Sequence, residues 1–351
     1  LGGSMAVGVL EGRQAEHALR PLDPRQDLGQ VADLIAVAFA GDLEPEGQAA
    51  LRDLRAISRL GPMLAVVSHT SAEFQSFYGG FVWVEDGRVV GNVTLQRGDP
   101  YGQRWQIANV AVYPAYRGRG IARALMEAAL AYIRKQGGSW AVLQVRADNA
   151  TAKGLYERLG FEAITTTTEL RLAHVPSSIT SPTPPLGLRP RLRSDWQQEH
   201  HLALAATPPL AQWWQPVRAE SFRPTLDARL AEGLAALIGQ QRVIREGIYA
   251  GSRLLAALTV HATRWAGHHR LALTVHPEHR GRCEMDLIGR AFGILADYPR
   301  RPVLAIHPAE HEAAIDAFKA HGFHVVRSLV TMRRWMQDGK MPREGRFNVP
   351  G

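Results

Sequence analysis

The chain repeats itself. Leu19-Arg20-Pro21 returns as Leu188-Arg189-Pro190, and Gly160-Phe161 returns as Gly322-Phe323. Between these pairs, Val112-Tyr113-Pro114 followed by Arg117-Gly118-Arg119 returns as Val275-His276-Pro277 followed by Arg280-Gly281-Arg282. Order and spacing are kept together, which shared turn chemistry alone would not preserve. Such a chain is constrained to two copies of one folding plan, and 351 residues suit two domains of about 150 each. The stretch from His174 to Pro185 is crowded with Pro, Ser and Thr and has no period, so it reads as an extended linker. The expected organisation is a tag remnant and tail at 1–15, with Leu1-Gly2-Gly3-Ser4 ahead of Met5, then a first domain at 16–173. A linker at 174–186, a second domain at 187–339 and a tail at 340–351 follow.

Composition narrows the class. Hydrophobic content of 46% with 21% charged residues is that of a globular protein. No stretch offers the roughly 18 uncharged apolar residues of a membrane span, and no secretory signal is visible at the N-terminus. Cys283 is the single cysteine, so an intrachain disulfide is excluded and a cytoplasmic home is expected. The net charge of +8 invites a nucleic-acid partner. Against that, the basic residues are nearly all arginine, no block of five like charges occurs, and no helix-turn-helix, zinc-finger or stacking-aromatic pattern is present. A small anionic ligand accounts for a local excess equally well.

Periodicity places the elements of the first half. Asp23-Pro24 caps a helix with Leu28, Val31, Leu34, Ile35 and Phe39 on one face. Pro45 opens a second helix with Leu51, Leu54 and Ile57 inward, stopped by Gly61-Pro62. Phe81–Glu85 and Val89–Leu95 flank the tight turn Asp86-Gly87, and Gln106–Val112 is a third strand. Then follow a helix from Gly120 to about Gln136, a strand at Trp140–Val145, a helix at Ala150–Leu159 and a strand at Phe161–Leu172. This is an α/β fold (α+β, mixed sheet), with a ligand site expected where strand, helix, strand, helix and strand alternate.

The chemistry concentrates in Val110 to Ala122. An apolar strand enters a proline, a short glycine loop and, without pause, a helix. Free amides and the dipole of a first helical turn attract phosphate. Gly118 and Gly120 remove side chains that would hold phosphate away, and Arg117 and Arg119 add charge. There is no Gly-Lys-Ser or Gly-Lys-Thr, and Arg123 stands where a dinucleotide fingerprint needs glycine. In register, Arg117, Gly120 and Ala122 resemble the signature of the GNAT (GCN5-related N-acetyltransferase) superfamily. Downstream, Asn149-Ala150, Tyr156 and Gly160-Phe161 resemble that superfamily's second motif.

The resemblance implies two tandem GNAT-like domains, each a mixed central sheet flanked by helices, using acetyl-CoA as co-substrate with no metal. It implies that Arg117, Gly118, Arg119, Gly120, Ile121 and Ala122 hold the pyrophosphate, that Val110, Ala111 and Val112 line the pantetheine arm, and that Asn149 touches the cofactor. Tyr156 would protonate the departing thiolate, and the amide of Val112 would stabilise the oxyanion. The acceptor is expected to be an amine, on a small molecule ahead of a protein. The strand ahead of the loop reads Trp105-Gln106-Ile107-Ala108-Asn109, with no carboxylate to serve as base. Glu85 and Asp86 read as solvated turn residues, Glu44 and Glu46 flank the acceptor region, and an ordered water relay is equally open.

The second half keeps the plan and loses the chemistry. Cys283 replaces the key glycine, Met285 the small residue, Phe318 stands opposite Tyr156 and His311 opposite Asn149. It reads as a degenerate, non-catalytic domain, and the tandem arrangement resembles the mycothiol synthases. His276, His279, His307 and His311 read as surface or loop residues rather than metal ligands, and Trp213-Trp214 as packing. A monomer or homodimer is expected. The competing reading is a non-catalytic acyl-CoA sensor or interaction module.

Overall fold

The computed structural model describes residues 17–40, 48, 51–52, 55–56, 79–99, 103–176, 185–225, 241–265 and 267–337. The expected inward positions Leu54 and Ile57, the stop at Gly61-Pro62, Glu44 and Glu46, most of the linker and both tails lie outside the described residues.

The capping signal near the start works as read. Helix α1 spans Pro24–Ala38, and the Asp23 carboxylate accepts from the Arg25 amide at 3.0 Å. Leu28, Val31, Leu34 and Ile35 are buried on its inner face, while Phe39 caps the helix and is only half-buried. Asp27 is buried on the same helix because Arg20 clamps it through two bonds of 2.6 and 2.8 Å.

The backbone divides into two compact units, and these do not follow the sequence halves. The first holds residues 1–144, 155–161 and 333–351; the second holds 145–154 and 162–332.

In the first unit, strands β1 (His17–Pro21), β2 (Gly79–Glu85), β3 (Arg88–Arg97) and β4 (Arg104–Val112) pair antiparallel in chain order, and β5 (Trp140–Arg146) joins β4 in parallel. Helix α2 (Ile121–Lys135) is the crossover between the parallel pair and buries Ile121, Leu125, Met126, Ala129, Leu130 and Ile133. Helix α3 (Ala150–Arg158) follows β5, its residues from Leu155 belonging to this unit and those before it to the second. The far end of the chain completes this unit. Trp335 packs edge-on to Trp140 at 4.8 Å, the Met336 amide donates to the Ser139 carbonyl at 2.9 Å, and Arg134 donates to the Met336 carbonyl at 3.3 Å.

The second unit repeats the scheme. Strands β7 (Leu188–Pro190), β8 (Gln241–Ala250), β9 (Arg253–Thr263) and β10 (His269–Val275) pair antiparallel in chain order, and β11 (Val303–Pro308) joins β10 in parallel. Helices α4 (Trp196–Ala206), α5 (Pro209–Trp214), α6 (Glu284–Leu295) and α7 (Glu312–Ala320) belong to it. Trp213 and Trp214 end α5 half-buried.

Strand β6 (Glu162–Leu172), which sequence order assigns to the first domain, pairs antiparallel with β11 from Leu172↔Val303 to Pro308↔Thr167 and contributes Leu170 and Leu172 to the second unit's core. On β6's other side lies β12 (His324–Trp335), tied to it by Arg327 on Glu169 at 2.7 Å and Ser328 on Thr168 at 3.0 Å. The boundary expected at 173 is therefore crossed: a strand's partners are set by its register and apolar face, not by which side of a linker it precedes.

Candidate functional site

The glycine loop is held from behind and open in front. After β4, Tyr113 donates its amide to the Val90 carbonyl at 3.0 Å, and Pro114–Tyr116 form a single 3-10 turn. Arg117 Nε returns to the Val112 carbonyl at 3.2 Å, and Arg119 lies over the Tyr116 ring at 4.9 Å while donating to the Ala115 carbonyl. Both arginines thus brace the loop as well as charging it. Gly118 and Gly120 are left-handed, with φ of 79° and 82°, and Gly120 is the N-cap of α2. Among the described residues, a Cβ built on either glycine would meet nothing within 4 Å. The first helical bond runs from Ala124 to the Gly120 carbonyl, so the preceding amides have no intrahelical partner.

Beside the loop, β4 is irregular. Its parallel ladder with β5 runs from Arg104↔Trp140 to Ile107↔Leu143 and stops, although β4 continues to Val112. On its other edge, Asn92 pairs with Ala111 and Thr94 with Ala108, so Asn109 and Val110 together face Val93 alone. This is a β-bulge, and Asn109 adopts φ 50° within it. Because the Tyr113 amide faces β3, strand alternation turns the amides of Val112 and Val110 the other way, past the end of the β5 ladder. Sequence reading missed the bulge, since Val110, Ala111 and Val112 are apolar in succession and hide the one-residue change of phase between Ile107 and Val112.

Tyr156, on α3, is buried, with its ring 6.1 Å from Phe161. Burial pushes its phenol up to about 12, so the hydroxyl keeps its proton at neutral pH. Asn149 is exposed and caps α3, its Oδ1 accepting from the Ala152 amide at 3.0 Å.

Glu85 departs from the expected solvated turn. It is buried at the end of β2, with Oε1 accepting from Trp83 Nε1 at 3.3 Å and Oε2 lying 3.6 Å from Arg119 Nη1. The tight Asp86-Gly87 turn suggested solvent, but the strand ends one residue earlier and aims Glu85 at the loop. Asp86 keeps the turn role at φ 49°.

The corresponding loop of the second unit is filled by its own chain. Glu284, the first residue of α6, folds its carboxylate back onto the amides of Gly281 at 2.8 Å and Cys283 at 3.1 Å. His311 Nε2 bonds the same carboxylate at 2.8 Å, and His307 Nε2 bonds His311 Nδ1 at 2.8 Å. His307 and His311 are each 3% exposed and Glu284 2%, which corrects the surface reading of these histidines. Burial works against the Glu284 charge, yet the His311 bond and the loop amides outweigh it and hold the carboxyl at about 2. Burial, reinforced by the neighbouring His311 and Arg280, pulls His307 down to about 3. Cys283 sits where the first unit has its left-handed Gly120, with its thiol pushed up to about 12 by burial. Phe318, opposite Tyr156, is fully buried. Among the described residues no group of three or more His, Cys, Asp or Glu forms a metal site, and no helix is long and apolar enough to cross a membrane.

Residues 50–161 match the acetyltransferase (GNAT) family model. N-alpha-acetyltransferase 30 of Schizosaccharomyces pombe is 37% identical over 83 residues, 23% of this chain and 55% of that protein. Mycothiol acetyltransferase of Renibacterium salmoninarum is 30% identical over 146 residues, 41% of this chain and 40% of that one. The chain thus spans about half the length of these curated relatives. A tandem GNAT protein from the clavulanic acid biosynthesis pathway superposes with a TM-score of 0.54 at 22% identity, covering 93% of this chain and 100% of that one, which is a likeness of fold. Residues 50–161 thus carry a match to the GNAT acetyltransferase family, and the chain as a whole shares the fold of a tandem GNAT protein.

Proposed function

We propose that this chain is an acetyl-CoA-dependent N-acetyltransferase that passes acetyl directly to an amine, with the chemistry in its first unit. One contrast carries the reading. Among the described residues nothing fills the space before Gly118 and Gly120, whereas Glu284 occupies the corresponding amides of the second unit.

The residues present fit the co-substrate. Amides from Gly118 to Ala122 and the dipole of α2 suit a diphosphate, and the outward amides of Val110 and Val112 suit a pantetheine arm running along β4. Acetyl-CoA supplies the activated thioester. One of the two β4 amides donates to the oxygen on which charge builds, Val112 by the sequence reading and Val110 by its place in the bulge. Tyr156 holds a proton that only a strong base would remove, which suits it to give that proton to the leaving sulfur. No carboxylate is assigned as base. Asp27 is bound to Arg20, and Glu85 faces Arg119 at the phosphate loop.

The test is a screen of small amines and peptide N-termini with acetyl-CoA, following thiol release, with Tyr156→Phe as control. Acceptor-dependent release that falls at least about tenfold in the variant is expected. CoA binding without release against any acceptor would favour the sensor reading.

A further inference from the structure

We infer that Asn92, on β3, is a positioning residue: it locks the β4 bulge that turns the Val110 amide toward the reacting carbonyl. The assignment rests on the acetyltransferase reading above. Asn92 is fully buried, in a strand whose other buried side chains are Val89, Val90, Val93, Thr94 and Leu95. Its Nδ2 donates to the Asn109 carbonyl at 3.1 Å and to Thr94 Oγ1 at 3.3 Å. Asn109 in turn donates its own Nδ2 to Thr94 Oγ1 at 3.4 Å. The three side chains therefore tie both ends of the bulged residue to β3, and the left-handed Asn109 is held at the one point where regular pairing would expel it. A left-handed residue other than glycine is favoured where its side chain finds local hydrogen bonds, and this tie supplies them at Asn109.

The second unit supplies the control within one chain. There the β9–β10 register runs without interruption from His261↔Arg270 to Ala256↔Val275. Aligned on Val112 and Val275, Ala257 stands in the place of Asn92 and Thr259 in that of Thr94. The unit whose phosphate loop is filled by Glu284 thus lacks both the asparagine and the bulge. A merely structural demand on β3 is met there by alanine.

Asn92 also keeps a cost that packing alone would remove. Its Oδ1 is buried with no hydrogen-bond partner among the described residues. A buried acceptor left unpaired is costly, and one in a native fold calls for a reason. That reason is the donor on the same amide: Nδ2 is needed for the Asn109 carbonyl, and the oxygen comes with it.

The test needs no acceptor. A methyl ketone analogue of acetyl-CoA, labelled with 13C at the carbonyl, reports polarisation by the oxyanion amide, and calorimetry with CoA reports the phosphate loop separately. The full chain is expected to bind CoA and to move the ketone carbonyl downfield. Asn92→Ala, which copies the second unit, is expected to lose most of that shift while CoA affinity stays within about threefold. Thr94→Val is expected to lose part of it and Thr94→Ser to keep it, a pair that decides the matter should Asn92→Ala fail to fold. An unchanged carbonyl shift in Asn92→Ala, or in Thr94→Val where only that variant folds, would overturn the assignment. So would a loss of CoA affinity in step with the shift, since that marks a general structural role. If the unsubstituted chain binds no CoA, the acetyl-CoA reading itself falls and takes this assignment with it.

Discussion

The two strand–loop–helix segments, Val110–Ala122 and Leu273–Met285, start from one plan and end as opposites. In one, two left-handed glycines bare the helix amides. In the other, a glutamate at the first helical position turns back and satisfies them. A helix N-terminus attracts negative charge whatever carries it, so a carboxylate from the chain itself can take the place of a diphosphate from solution. One strand–loop–helix geometry can thus stand open or be filled by the chain's own carboxylate. The cradle survives, with a permanent occupant held in place by His311 and, behind it, His307.

The comparison breaks most sharply at Glu284. Glu284→Ala leaves two loop amides and a buried histidine without their partner, and about 3–5 kcal/mol of stability should be lost. Glu284→Gln keeps the shape and removes the charge. The sign with pH follows from the depressed carboxyl. Its contribution is complete above the ordinary carboxylate range near 4.5 and disappears as pH falls toward 2. His307 acts in the same direction from higher pH, its contribution being complete above about 6.5 and lost as pH falls toward 3. Thermal unfolding of the Gln variant against the native chain across pH 2–7 should show their difference shrink below 4.5. A difference constant with pH would mean that the carboxylate is not held as described.

Next in size is Tyr156→Phe, which makes the first unit resemble the second at Phe318. Acceptor-dependent thiol release should fall on the order of 10²-fold, with CoA affinity little changed. Equal rates would remove the phenol from the mechanism. Gly120→Ala comes third. Its Cβ would strain a φ of 82° and stand in space the protein leaves empty. CoA affinity measured by calorimetry should weaken about tenfold, the strain alone being worth about 1–2 kcal/mol. Smallest is Glu85→Gln, which loosens Arg119 on the loop. Arg119 is largely exposed, so a change of about threefold or less in CoA affinity is expected.

Much of this was legible because it is local. The cap at Asp23-Pro24, the apolar face of α2, the Asp86-Gly87 turn and the glycine loop are decided by residues a few positions apart, as is the contrast of Tyr156 with Phe318. What escaped depends on partners far along the chain. The pairing of Leu172 with Val303 moves β6 into the second unit, and the bond of Met336 to Ser139 ties the residues from Arg333 onward to the first; no period in either segment records it. The bulge at Asn109 is a register property of two strands. Glu284 could have been found. An acid at the first position of a helix, straight after a phosphate-type loop, is favourable to the dipole on its own terms, but the bulk of Cys283 and Met285 drew the reading to size rather than charge. Glu85 was lost to its neighbours, since a tight turn immediately after it implies solvent that the strand's last side chain does not reach.

On the proposed function, a diphosphate rests on the Gly118–Ala122 loop and not on the loop of Glu284. Titration calorimetry with CoA on the full chain tests it most directly, paired with a co-crystal. The account predicts heat for a single site per chain, with the cofactor's diphosphate against Gly118 and Gly120. No heat, two equivalents, or a cofactor seated at Gly281–Glu284 would contradict it.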